Sequence, residues 1–139
     1  MIVVDTSVWV DFFADRDTPE VAYLDARLED GDEDIAITDL IFTEILQGLR
    51  SDAAVRQVED QLSVFAMLRL RDIADFRHAA ALYRSARRRG VTIRRTGDCL
   101  IAAVCVRDQV PLLHCDKDFA HLAAVTELQL VDPLGGSRR

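Results

Sequence analysis

The sequence predicts an α/β fold: a three-layer α/β/α sandwich around a short, mostly parallel sheet. Three observations predict it. Short apolar runs alternate with longer amphipathic stretches, the pattern of strands joined by crossover helices. The helical stretches open on capping residues, and two close on glycine. The chain has 139 residues without an internal repeat, low-complexity segment or linker, which predicts one domain over residues 1–134 and a disordered tail, 135–139.

In order, residues 2–5 read as a short buried strand. Residues 7–14 follow as a short helix capped by Thr6 or Ser7. Thr18, Pro19 and Glu20 start a helix running to about Asp30, because proline suits the first turn and an acid favours a helix N-terminus. An acidic loop from Glu29 to Asp34 turns at Gly31. Residues 35–37 form a strand, and Thr38 caps a helix through Gln47 that Gly48 helps to end. Ser51 caps a helix to about Val64, and residues 66–70 form a strand. Asp72 begins the longest helix, ending at Gly90. A helix from Gly97 or Asp98 to about Asp108, a strand over 110–114, a short helix from Asp116 to about Ala124 and a strand over 128–131 complete the fold.

The bulk properties limit the function. No apolar run approaches the roughly 20 residues that span a bilayer, and the N-terminus has no basic region with a cleavage site, so a cytoplasmic protein without membrane association is expected. Cys99, Cys105 and Cys115 form no CxxC pair and read as buried small side chains, not as disulfides or zinc ligands. His78, His114 and His121 have no metal-ligand spacing. A net charge of −7 disfavours wrapping duplex DNA. Arg84, Arg87, Arg88, Arg89, Arg94 and Arg95 nevertheless form a local basic window, either a solvated helix end or an RNA-backbone contact. Trp9, Phe12 and Phe13 are either core or a stacking surface.

The informative feature is a set of acids. Asp5 ends the first strand, Glu44 lies in an apolar helical stretch, Asp98 opens a buried helix, and Asp116 follows a strand. In a doubly wound fold these strand ends and helix starts share one edge, where ligands bind. Carboxylates gathered there repel one another unless protonated or neutralised by a cation, and oxygen-only donors suit Mg²⁺ or Mn²⁺. Each acid also has a plain structural reading. Asp5 and Asp116 fit helix caps, Glu44 a stripe edge, and Asp98 a favourable charge at a helix N-terminus. Asp118 reads first as a capping residue, with a weaker or water-mediated ligand role open. Thr6 and Ser7 are candidates for orienting Asp5 or bound water, or for simple capping.

Taken together, Ile2–Ser7, Glu44, Thr96–Ala102 and His114–Phe119 resemble the PIN-domain ribonucleases, and among them the VapC-type toxins of toxin–antitoxin pairs. The resemblance covers essentially the whole chain, with Gly97 as a departure at a position often larger or polar. It implies a PIN-like fold and a Mg²⁺- or Mn²⁺-dependent endoribonuclease with Asp5, Glu44, Asp98 and Asp116 as catalytic and metal-binding residues. Thr6, Ser7, Thr96 and Asp118 would support them. Arg87, Arg88, Arg94 and Arg95 would contact single-stranded or looped RNA, such as tRNA or rRNA. It also implies a small cognate antitoxin, a homodimer and a toxin–antitoxin hetero-oligomer. The alternative is a catalytically silent RNA-binding or antitoxin-paired module. A haloacid-dehalogenase-type phosphotransferase is disfavoured because its second acid would fall at Ser7 and the chain's single lysine is Lys117.

Overall fold

The computed structural model describes residues 1–31 and 34–135. Part of the expected acidic loop, residues 32–33, and the expected tail from residue 136 lie outside the described residues. The elements are β1 (Ile2–Val4), α1 (Thr6–Phe13), α2 (Pro19–Asp30), β2 (Ile35–Thr38), α3 (Asp39–Gln47), α4 (Asp52–Leu62), β3 (Ala66–Leu68), α5 (Ile73–Arg88), α6 (Thr96–Asp108), β4 (Leu112–Leu113) and α7 (Lys117–Val125).

The four strands lie in the order β3-β2-β1-β4, and every pairing is parallel. The chain winds from β1 to β2 to β3 in one direction, then returns across the sheet to β4. Right-handed crossovers therefore put α1–α4 on one face and α5 and α6 on the other. The helices group accordingly, α1 with α2 and α3, and α5 with α6 and α7. The winding reverses beside β1, where such folds open a crevice at the strand carboxyl ends. Asp5 and the β4–α7 loop lie at that point.

Burial explains why such short strands hold. Val3, Val4, Ile35, Ile37, Leu112 and Leu113 are buried on a sheet covered on both faces. Helix α6 is buried nearly all round, with Cys99, Ile101, Ala102, Ala103, Val104 and Cys105 in the core, so it lacks a polar face over most of its length. Trp9 belongs to this core and donates its indole N–H to the carbonyl of Val4 at 3.1 Å. Phe13 stacks on Trp9 from the exposed side, with centroids 5.8 Å apart.

The element order matches the expectation, with corrections at the ends. Asp5, not Thr6 or Ser7, caps α1, because its carboxylate reaches the N–H of Ser7. Helix α6 starts at Thr96, earlier than expected, and Arg95 occupies its cap position without a side-chain bond. The expected strand over 128–131 is reduced to a single bridge between Leu112 and Leu130. The strand after α6 keeps only Leu112–Leu113, although the Pro111 carbonyl still accepts the N–H of Val3 at 2.9 Å. Gly90 closes the long helix with φ 83°, a conformation glycine adopts without strain. Cys99 and Cys105 are buried as expected, whereas Cys115 is exposed at the strand end. Among the described residues no helix is long and apolar enough to cross a membrane.

Candidate active site

The site is built where β1, β4, α3 and α6 meet. Asp5 leaves β1 with its backbone N–H donated to the carbonyl of Leu113 at 2.9 Å, so the ends of β1 and β4 are tied together. Its Oδ2 accepts the N–H of Ser7 at 3.0 Å and the Ser7 hydroxyl at 2.6 Å. The Ser7 hydroxyl in turn accepts the N–H of Cys115 at 3.0 Å. Thr6 serves a different acid: its hydroxyl donates to Oε1 of Glu44, joining α1 to α3. Gly97 lies behind Glu44, and a Cβ there would come within 3.4 Å of its Oε2.

Asp98 sits in the first turn of α6, 1% exposed. One oxygen meets Arg95 at 3.4 Å; the other, Oδ2, is fully buried without a hydrogen-bond partner. Asp116 caps α7 by accepting the N–H of Asp118, and its own N–H donates to Nδ1 of His114 at 3.0 Å. His114 is thus a half-buried structural residue whose pKa is lowered by burial.

Two arginines complete the site, and both pair with its acids. The Arg95 guanidinium bridges Asp98 at 3.4 Å and Asp116 at 3.1 Å. Its pKa is raised first by Asp98, against burial, and further by Asp116, Glu44 and Asp5. Arg95 thus contacts two of the four acids singled out in the sequence and lines one pocket with the other two. Arg94 holds Asp118 through its backbone N–H and its Nε, at 3.2 and 3.1 Å, and reaches Asp116 at 3.4 Å. Burial alone would raise the pKa of Asp118, but these bonds and the Arg94 charge outweigh it and hold it below the usual carboxylate range. Arg87 lies against the ring of Tyr83 and lines an open groove with Phe76, Arg84 and Arg94, while Arg88 is exposed on α5. Thr96 is exposed at the rim of that groove and makes no side-chain hydrogen bond among the described residues.

The electrostatics are strained in the manner of a cation site. Burial raises the pKa of Asp5 against the opposing bonds to Ser7. Burial likewise lifts Asp98 to about 7, with Arg95 opposing and Asp116, Asp5 and Asp118 adding to the rise. Oxygens of Asp98, Asp116 and Asp118 can lie within 4.8 Å of one another, a spacing that one cation spans. Asp118 thus stands beside Asp98 and Asp116 in the tightest group, while Asp5 and Glu44 line the adjoining pocket with Thr6, Ser7, Gln47 and Arg95. The all-oxygen donor set and the unpartnered Oδ2 of Asp98 fit a hard divalent ion such as Mg²⁺ or Mn²⁺.

Sequence reasoning missed the pairing of Arg94 and Arg95 with the site's acids. The signal was their position just before the helix start, with Arg95 three residues from Asp98.

Comparison with known proteins gives the family. The PIN domain family model matches residues 2–125. The chain is 40% identical over 131 residues to VapC ribonuclease Mb1587 of Mycobacterium bovis and to ribonuclease VapC11 of Mycobacterium tuberculosis, matches that cover 93% of this chain and 96% of each relative. Its fold resembles a toxin–antitoxin complex chain from Klebsiella pneumoniae, with TM-score 0.71 and 19% identity over 96% of this chain and 98% of that one. It also resembles VapBC2 from Rickettsia felis bound to a promoter DNA fragment, with TM-score 0.72 and 17% identity over 94% of this chain and 98% of that one. The chain belongs to the PIN-domain family and, within it, to the VapC-type ribonucleases.

Proposed function

We propose that this chain is a divalent-metal-dependent endoribonuclease, the toxin of a toxin–antitoxin pair, acting on single-stranded or looped RNA such as tRNA or rRNA. The observation that carries the reading is the buried, unpartnered Oδ2 of Asp98 within the Asp98–Asp116–Asp118 group, beside the pocket that Asp5 and Glu44 line.

Asp5, Asp98 and Asp116 would hold Mg²⁺ or Mn²⁺, with Glu44 at a second ion or at the attacking water. The chemistry such an ion supplies is Lewis acidity: a more acidic water and neutralised charge on the scissile phosphate. The chain's own residues prepare the rest. Ser7 fixes the Asp5 carboxylate, Thr6 fixes Glu44, and Arg94 fixes the Asp118 carboxylate. Glu44 lies beside the pocket and can accept a proton from water there. Arg87 and Arg88, outside the acidic ion pairs, are the residues we assign to RNA phosphates, with Arg94 and Arg95 at the pocket edge. An unstacked strand can enter an open pocket of this kind, whereas a duplex cannot present its backbone as deeply.

The partners follow from the same reading. The fold neighbours were solved as toxin–antitoxin complexes, so we expect a small antitoxin, a homodimer and a toxin–antitoxin hetero-oligomer in the cytoplasm. An acidic pocket of this kind attracts a partner's guanidinium. We take residues 1–134 as one nuclease domain, supported by a hydrophobic cluster drawn from β1 through the segment after α7.

The test is cleavage of a mixed RNA pool containing tRNA and rRNA by antitoxin-free wild type, Asp5→Ala and Asp98→Asn, each with Mg²⁺, Mn²⁺ or EDTA. Discrete fragments that require both the metal and the two carboxylates are expected. Folded wild type that cleaves nothing under any condition would favour a silent binding module instead.

A further inference from the structure

We infer that Arg95 is a displaceable internal counter-ion, occupying the same carboxylate oxygens that a divalent cation takes and swinging out when that cation loads. The inference rests on the metal-dependent reading above and assigns this residue a role in it.

Three observations carry it. First, Arg95 touches Oδ1 of Asp98 and Oδ2 of Asp116, two of the three acids whose oxygens can gather around one ion. A guanidinium and a cation cannot both use those oxygens at full strength. Second, the side chain is loosely held although its backbone is fixed. It is 62% exposed, so water can take over its donors, and it is held by ion pairs of 3.1 Å to Asp116 and 3.4 Å to the buried Asp98. The Arg95 carbonyl accepts the N–H of Asp98 at 3.1 Å, so the side chain can leave without unwinding the start of α6. Third, Arg95 lines the pocket of Asp5 and Glu44, whereas its neighbour carries an additional backbone bond. Arg94 is joined to the buried Asp118 by both backbone and side chain, and Asp118 has a second neighbour in His121 at 3.7 Å. Adjacent arginines thus differ: Arg94 pairs with Asp118 and Asp116 and is anchored through its backbone N–H, while Arg95 pairs with Asp98 and Asp116 at the pocket. Charge gives the direction of exchange: one guanidinium offsets a single unit among four carboxylates, whereas a divalent ion offsets two.

The deciding experiment is calorimetric titration of Mn²⁺ alone into wild type, Arg95→Gln, Arg95→Lys and Asp98→Asn, paired with melting curves with and without Mn²⁺. Arg95→Gln is expected to bind Mn²⁺ about ten-fold more tightly than wild type and to gain more melting temperature from it. Arg95→Lys, a point charge that cannot fork between two carboxylates, should fall between them. It serves as the test if Arg95→Gln does not fold. Mn²⁺ affinity in both Arg95 variants equal to or weaker than wild type would overturn the inference. Binding by wild type that is lost in Asp98→Asn keeps the cation reading intact in that case. Mn²⁺ heats absent from wild type and from every Arg95 variant would remove the cation reading, and this inference with it.

Discussion

Ser7 grips Asp5 twice through one oxygen: its N–H and its hydroxyl both donate to Oδ2, at 3.0 and 2.6 Å. Because the same hydroxyl accepts the N–H of Cys115, a single side chain fixes the acid after β1 relative to the loop after β4. Asp5 is buried and its pKa is raised by that burial, so these bonds favour its charged form. Residues that orient a metal-binding carboxylate typically matter by 10–100-fold. Ser7→Ala should therefore lower the cleavage rate on RNA by roughly 10–100-fold and destabilise the fold by about 1–2 kcal/mol. Ser7→Thr keeps the hydroxyl and should recover much of the rate. Equal activity of Ser7→Ala and wild type at saturating Mn²⁺ would show that Asp5 needs no such support.

Asp98 predicts a pH dependence of unusual sign. Its carboxyl is raised to about 7, by burial first, with Arg95 opposing. The folded protein therefore holds this proton more readily than the unfolded chain. The cost of the buried charge is fully present above about pH 7 and is relieved as pH falls from 7 toward the ordinary carboxylate range. Thermal unfolding in EDTA should show Asp98→Asn more stable than wild type at pH 8 by on the order of 1–2 kcal/mol, a figure reduced for solvent screening by the exposed Arg95. The gap should narrow at pH 5. An asparagine variant less stable than wild type at pH 8 would mean that the charge is well compensated where it sits.

How much of this was legible in the sequence depended on whether the deciding interaction was local. The Asp5 cap, the Thr18–Pro19 helix start and the Gly90 stop are set within a few residues, and the sequence displays them. The acids were legible as a set because strand ends and helix starts converge in any doubly wound sheet. The strand over 128–131 was not, because its apolar alternation does not reveal that its pairing with β4 is confined to a single bridge at Leu112. Cys115 was misjudged for the same reason: burial of a residue just beyond a strand depends on what packs there, and Cys115 is left exposed. The arginines were the largest loss. A run of basic residues at a helix end reads as solvated surface. Only the three-dimensional approach of Asp116 and Asp118, more than twenty residues away, pairs Arg94 and Arg95 with acids.

The Arg94–Asp118 latch makes a second pH prediction, opposite in sign. Asp118 is held below the usual carboxylate range because the Arg94 bonds and charge outweigh its burial. A depressed pKa contributes stability that is present above the unfolded value near 3.8 and lost as pH falls through the folded value. Arg94→Ala strips this buried acid of its main partner and should destabilise by about 1–3 kcal/mol at pH 7. The difference from wild type should shrink on acidification below pH 4. If the two melt together at pH 7, Asp118 is held by the α7 cap alone and the latch has no energetic content.

Gly97 sets how closely α6 can approach Glu44. A Cβ there would lie 3.4 Å from Glu44 Oε2 and 3.4 Å from a methyl of Leu40, close to ordinary contact and without a positive φ to strain. Alanine should therefore fit with a slight shift of Glu44. In the first turn of α6 it should gain up to about 0.5–1 kcal/mol of stability from helix propensity. Valine adds two methyl groups where one carbon is already close, and Glu44 is tethered on its other side by Thr6. The expected order of RNA cleavage is glycine about equal to alanine, and valine lower by roughly ten-fold, about 1.4 kcal/mol of transition-state stabilisation. If Glu44 acts at the water or a second ion, Glu44→Gln should lower the rate as well. Adding Gly97→Val to it should then cost little more, because both substitutions act through one carboxylate. Additive losses in the double variant would instead locate the effect of Gly97 in the packing of α6 against Leu40.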